Sequence, residues 1–258
     1  MTAMRVLFLG DLVGNCGRDA VLQSVPKLRR ELSLDYVVVN GENVSGGRGI
    51  LPAVADEIFL CGVDIISGGN HSFQHREVYA YLDATPAILR PINYPPGAPG
   101  HGIATTGELT VVNIIGRTFM GAEYDDPFRA ADAALKSVPE GQFVLVDFHA
   151  EATSEKQAMG WYLDGRVTAV VGTHTHVPTA DQRLLPRGTA FCTDAGMCGA
   201  VDSIIGDDVE AVLSRFLSQM PTRLPAAKGV GKINGLLIEA DRETKRAISI
   251  ERCDRVIG

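Results

Sequence analysis

The sequence predicts an α/β fold in a single domain covering residues 1–258. Short apolar runs of strand length alternate with segments whose apolar residues recur at helical spacing. Five of the runs stop abruptly on Asp, Glu, Asn or His. Residues 233–257 read instead as two strands joined by a polar turn, so the alternation closes with antiparallel pairing. No internal repeat, low-complexity tract or composition shift divides the chain.

Residues 5–10 form the first expected strand, ended by Gly10 and Asp11. A glycine-bearing loop over 12–17 leads into a helix whose Val21, Val25, Leu28 and Leu32 share one face, with Pro26 expected to kink it. Residues 36–39 form the second strand, followed by Asn40, Gly41, Glu42 and Asn43 and then the glycine-rich SGGRG. A helix over 52–61 turns Val54, Ile58 and Cys61 to one side. The third strand, 64–66, runs into SGGNH, and a short helix follows at 76–82. Residues 86–102 hold five prolines and three glycines and suit no regular element. An ordered loop of that length reads as a lid or substrate wall. Beyond it come a strand at 109–115, a helix at 128–138, and a strand at 143–146 leading to His149. A helix at 154–164 and strands at 168–171 and 189–193 follow. Asp207 and Asp208 open an amphipathic helix with Val209, Val212, Leu213, Phe216, Leu217 and Met220 on one face. Carboxylates suit its first turn.

Apolar residues make up 45% of the chain, enough for a full core. The net charge of −7 argues against a broad nucleic-acid-binding face, so RNA is a partner the charge does not support. A small phosphate-bearing substrate stays open, because bound cations would reverse the local field. Five cysteines without a CxxC suit reduced thiols in a cytoplasmic protein rather than a zinc knuckle. No apolar run approaches the ~18 residues of a membrane span. Asp11 interrupts the N-terminal apolar run, which therefore reads as a buried strand and not a secretion signal. A homo-oligomer is expected from the prevalence of such assemblies.

The chemistry concentrates at strand ends. Of six histidines, His71, His149, His174 and His176 lie just past expected strands. A lone histidine there is ordinarily a satisfied polar residue. Four, joined by Asp11, Glu42, Asn43 and Asn70, describe a metal site along one sheet edge. His174 and His176 sit two residues apart, which in an extended segment turns both rings the same way. Carboxylates, amide oxygens and imidazoles without thiolate suit manganese, iron or zinc. Eight candidates are too many for one tetrahedral ion. They fit two ions bridged by a carboxylate, with one residue left to transfer protons, an arrangement used in phosphoester hydrolysis.

GNH at 69–71 and GTHTH at 172–176 resemble the calcineurin-like metallophosphoesterases. The chain departs from that pattern at Val13, where a histidine is usual, and at GEN (41–43), where GD is usual. GDLVG, NGENVSGGRG, SGGNH, RPxNYP, DFHAEATSEK and GTHTHVPTAD together resemble the YmdB-type bacterial phosphodiesterases, from residue 10 to about 199. The resemblance implies an αββα sandwich of two mixed β-sheets flanked by helices, with the site at the strand ends. It implies that Glu42 bridges two metal ions. Asp11, Asn43 and His176 would complete one, with Asn43 replacing the histidine absent at position 13. Asn70, His149 and His174 would complete the other. His71 would stay off the metals as the catalytic general acid. The ions implied are divalent or trivalent, iron or manganese, and the substrate a small cyclic nucleotide such as 2′,3′-cAMP.

Glu151, Thr153 and Lys156, which follow His149, and Asp194 at another strand end are further candidates for substrate contact or ligand support. Arg48 is a candidate phosphate contact and His101 a candidate pocket residue, while His75 reads as a helix-starting residue. Two other functions compete. One is a phosphomonoesterase or protein phosphatase on the same ions. The other is a regulatory, RNA-interacting protein whose metal site is structural.

Overall fold

The computed structural model describes residues 3–257. The first half runs β1 (Met4–Val13), α1 (Gly14–Glu31), β2 (Tyr36–Asn43), α2 (Pro52–Leu60), β3 (Ile65–Ser67), α3 (Val78–Ala84), β4 (Ile103–Thr106) and β5 (Leu109–Ile115). It continues with α4 (Pro127–Leu135), β6 (Phe143–His149), α5 (Thr153–Leu163), β7 (Ala169–Thr173), β8 (Arg183–Leu184), β9 (Ala190–Cys192) and β10 (Met197–Ala200). The chain closes with α6 (Val209–Ser218), β11 (Gly231–Ile233), β12 (Gly235–Ala240), β13 (Ala247–Arg252) and β14 (Arg255–Ile257). The loop expected over 12–17 does not form. β1 runs to Val13 and α1 starts at Gly14, whose φ of +59° suits glycine. α1 also continues through Pro26.

Two mixed sheets result. In the first, β1 pairs in parallel with β2, and β2 with β3. The opposite edge of β1 is shared end to end: residues 4–9 pair antiparallel with β12, and residues 11–12 in parallel with β10. The second sheet has the order β4-β5-β6-β7-β9-β8, parallel from β5 to β9 and antiparallel at both edges.

Period-two alternation stacks these sheets into an αββα sandwich. Met4, Val6, Phe8 and Val38 of the first sheet meet Leu109, Val111, Phe143, Leu145, Ala169 and Val171 of the second in one buried cluster. The alternate residues face outward. Leu7, Leu9, Val37 and Val39 pack under Val21, Val25 and Leu28 of α1 and Ile58 of α2. Val112, Ile114, Val144 and Val146 pack under Ala131 and Ala134 of α4 and Met159 and Leu163 of α5. Both faces of each central strand are therefore apolar, and each fully buried large side chain contributes about 1.5–3 kcal/mol.

One expectation fails here. Residues 86–102 are not a lid over the site. Leu89 N donates to Ile66 O, Arg90 N to His101 O and Ile92 N to Asn113 O, so the segment straps the β3 edge to the β4–β5 edge. The apolar face of α6 is largely uncovered; within the helix only Val212 is buried. Asp208 does cap it, accepting from Ala211 N at 2.9 Å.

Candidate metal centre

The apolar seam between the sheets turns polar at one end without breaking its alternation. Val38 is followed at the same parity by Asn40 and Glu42, and Leu145 by Asp147 and His149. Val111 is followed in this way by Asn113, and Val171 by Thr173. Asp147 is buried and accepts from Ser67 Oγ, Asn40 Nδ2 at 3.0 Å and Thr173 Oγ1 at 2.7 Å. Asn113 and the Gly68 backbone bond reciprocally at 3.1 Å. This network joins the sheets beneath the ligand cluster, and it was missed in the sequence. Its signal was present: polar residues continuing an inward-facing apolar parity.

Each of three imidazoles is fixed from outside. Thr173 gives its hydroxyl hydrogen to Asp147, so it accepts from His149 Nδ1 at 3.0 Å. His174 Nε2 lies 3.1 Å from a carboxylate oxygen of Glu151. His176 Nδ1 lies 2.6 Å from the carbonyl oxygen of Ile205. A carboxylate and a carbonyl can only accept, so the ring nitrogens facing them carry the hydrogens. The lone pairs of His149 Nε2, His174 Nδ1 and His176 Nε2 therefore turn inward.

Inward lies a crowd of acceptors. His149 Nε2 is 2.9 Å from Asn70 Oδ1, 3.0 Å from His174 Nδ1 and 3.3 Å from Glu42 Oε1. Lone pairs at such separations repel unless a proton or a metal cation sits among them. Metal–ligand bonds of about 2.1 Å at right angles put neighbouring donors ~3 Å apart, so the spacing fits an ion. Asp11 points the same way. Its Oδ2 accepts from His174 N at 3.0 Å, while its buried Oδ1 has no hydrogen-bond partner and lies 3.9 Å from His176 Nε2. Asn43 turns its amide nitrogen to Glu42 Oε1 at 2.9 Å and His176 Nε2 at 3.2 Å. A half turn of that amide presents oxygen instead.

The electrostatics agree. Burial alone would depress the pKa of His149, but Glu42, Asp11 and Asp147 outweigh it and raise it. Burial would raise Glu42, but His149 and His71 pull it down. Burial pushes Asp11 up, against the pull of His176 and His149. The carboxylates thus draw positive charge to His149, whereas burial and the neighbouring His149 push the pKa of His174 down. Gly69 lies beneath it, and a Cβ there would stand 2.3 Å from Glu42 Oε2 and 2.4 Å from His149 Nε2.

A family model described as YmdB-like protein matches residues 7–253. The chain belongs to the YmdB-like family. The 2′,3′-cyclic-nucleotide 2′-phosphodiesterase of Bacillus subtilis is 45% identical over 254 residues, 96% of each chain. A Thermus thermophilus protein of known structure is 44% identical, with a TM-score of 0.90 over 98% of this chain and 99% of that one. The structure of a Mycoplasma pneumoniae phosphatase is 31% identical, with a TM-score of 0.92 over 99% and 94%.

In this YmdB-like chain the eight expected ligand and acid residues converge at the carboxyl ends of strands from both sheets. His174 and His176 do so by an unexpected route. Their segment is not extended; they take φ of +100° and +65° just past β7. His71 lines a cavity of about 290 Å³ with Glu42, Asn43, Arg48, Glu151 and His176. Its backbone N donates to Glu42 Oε2 at 2.9 Å. Asn70 Nδ2 faces its Nε2 at 3.2 Å, which puts the hydrogen of the neutral ring on Nδ1. Lys156 and Asp194 form a buried ion pair at 2.7 Å. Asp194 also accepts from Thr175 N and Oγ1, so the pair anchors the turn between the two histidines. Thr153 is exposed at the start of α5 and does not line the cavity. His101 lies in the strap, away from it, and His75 holds the carbonyl of Arg48 at 3.0 Å.

Proposed function

We propose that this protein is a metal-dependent, cytoplasmic phosphodiesterase that hydrolyses 2′,3′-cyclic nucleotides. The observation that carries the metal is the set of three imidazoles whose outer N–H groups are anchored and whose lone pairs meet Glu42, Asn70 and Asp11. Asn70, His149 and His174 would hold one ion, Asp11, Asn43 and His176 another, and Glu42 would bridge them. Iron or manganese suits this donor set. Such ions, when bound, neutralise phosphate oxygens and activate water near neutral pH. Family membership and the name of the Bacillus subtilis relative support the substrate class.

His71 is the general acid of this reading. It lines the cavity, and its Nδ1 makes no hydrogen bond among the described residues. It would give a proton to the departing ribose oxygen. Burial lowers its pKa, partly offset by Glu42. A phosphate anion entering the cavity would act in the same direction as Glu42.

Elemental analysis of anaerobically purified protein, with a substrate panel on the same sample, tests the proposal. About two iron or manganese ions per chain and preference for 2′,3′-cyclic nucleotides over phosphopeptides and mononucleotides are expected. Fewer than about one ion per chain after reconstitution would overturn the two-ion reading. Preference for phosphopeptides would make the protein a phosphatase.

A further inference from the structure

A second cavity of about 450 Å³ adjoins the metal centre and shares Gly47, Arg48 and Asp207 with it. Its walls carry three guanidinium groups, Arg48, Arg215 and Arg223, in a chain whose net charge is −7. Several arginines elsewhere pair with carboxylates, among them Arg29 with Asp64, Arg166 with Asp132 and Arg252 with Asp254. These three have no carboxylate within ion-pair distance among the described residues. Asp207 is the only carboxylate lining the cavity among the described residues. It is half-buried, which pushes its pKa up, against the pull of Arg48, His176 and Arg215. The glycine-rich segment 45–49 completes the wall, and the N–H groups of Gly46 and Gly47 bond no protein group among the described residues. No phenyl, phenol or indole ring lines the cavity among the described residues, and the one imidazole there, His75, bonds the Arg48 carbonyl. Unpaired guanidinium forks and free amides in a concave wall suit a phosphate.

We propose that this cavity is a subsite for a second phosphate, and that the preferred substrate is a 2′,3′-cyclic nucleotide carrying a phosphate on its 5′ oxygen. The inference rests on the proposed phosphodiester hydrolysis. With the cyclic phosphate at the metal centre, the next phosphate on the same nucleotide is the 5′ one, and Arg48 stands on the wall common to both cavities. That phosphate has two sources: a terminal 5′-phosphate, or the internucleotide linkage at the 3′ end of an RNA.

The test compares kcat/KM for three substrates with the metal-loaded enzyme. They are adenosine 2′,3′-cyclic phosphate, its 5′-phosphorylated form, and the dinucleotide ApA ending in a 2′,3′-cyclic phosphate. Wild type is compared with the double variant Arg215→Ala/Arg223→Ala. A gain of about tenfold or more from the 5′-phosphate, seen mainly in KM, is expected from binding worth ~1.4 kcal/mol. The double variant should erase the gain and leave the plain cyclic mononucleotide unchanged. Which of the two phosphorylated substrates gains identifies the source. No gain in wild type, or a gain that survives the double variant, overturns the subsite. If no cyclic nucleotide is hydrolysed, the functional reading fails separately. Calorimetric titration with adenosine 5′-monophosphate then decides the subsite: arginine-dependent binding upholds it, and identical binding to both proteins removes it.

Discussion

Thr173 carries one hydroxyl hydrogen, and Asp147 takes it at 2.7 Å. That fact orients His149, because only an acceptor then faces its Nδ1. Thr173→Val keeps the shape of the side chain and removes the relay. It should weaken metal affinity about 10–100-fold and cost ~1–3 kcal/mol, since His149 and Asp147 each lose a buried partner. Chelator competition and urea unfolding measure the two effects, and unchanged affinity would remove Thr173 from the support of the centre. His71 makes a different claim. Its ring lies beside the converging ligands and does not complete them, so His71→Ala should keep the ions. The variant should lose far more turnover on an alkyl phosphodiester than on a p-nitrophenyl ester, whose leaving group needs no proton. Equal losses on both substrates would end its assignment as general acid.

The turn after β7 shows how an element can be shaped to a site. His174 and His176 both sit at positive φ, a cost of about 1–3 kcal/mol each that surrounding contacts must offset. Asp11 holds the backbone of His174, Asp194 holds Thr175 on both backbone and side chain, and Ile205 holds the ring of His176. Lys156 of α5 neutralises Asp194 where neither meets water. Lys156→Met leaves that carboxylate buried and unpaired, and should destabilise the fold by about 3–5 kcal/mol in urea titration. A loss below 1 kcal/mol would show that water or another group replaces the ammonium. The strand ends carrying Asp11, Glu42, Asn70, His149 and His174 were legible in the sequence, because each is a local run meeting one polar residue. The left-handed turn was not, since the contacts that force it come from β1, the turn between β9 and β10, and the segment after β10. α6 marks another limit of local patterns. Its apolar face is evident in the sequence, yet Phe216 and Leu217 remain 70% and 86% exposed, because periodicity says where a face lies and not what covers it.

Across the whole molecule the two sheets are joined differently at their two ends. The interior seam is held by Phe8, Val38, Phe143 and Leu145, and its layering followed from alternation alone. The strap at 86–102 and the tandem sharing of β1 by β12 and β10 did not, because both depend on partners distant in sequence. At the functional end, Asp11, Glu42 and Asn43 come from the first sheet and His149 from the second, with Asn70 following β3 and His174 following β7. Buried acceptors there repel one another across the seam, so cations bound among them would tie the sheets together. Metal at about 100 times its dissociation constant adds ~2.7 kcal/mol per ion to the folded state. In a domain of this size that corresponds to a rise in Tm of about 5–10 °C. Differential scanning calorimetry with manganese or, anaerobically, ferrous iron should show the rise, and excess chelator should reverse it. Protons compete for the same imidazole and carboxylate lone pairs, so the rise should shrink as pH falls from 8 to about 5. A Tm that stays fixed while elemental analysis shows bound metal would place the ions somewhere other than between the sheets.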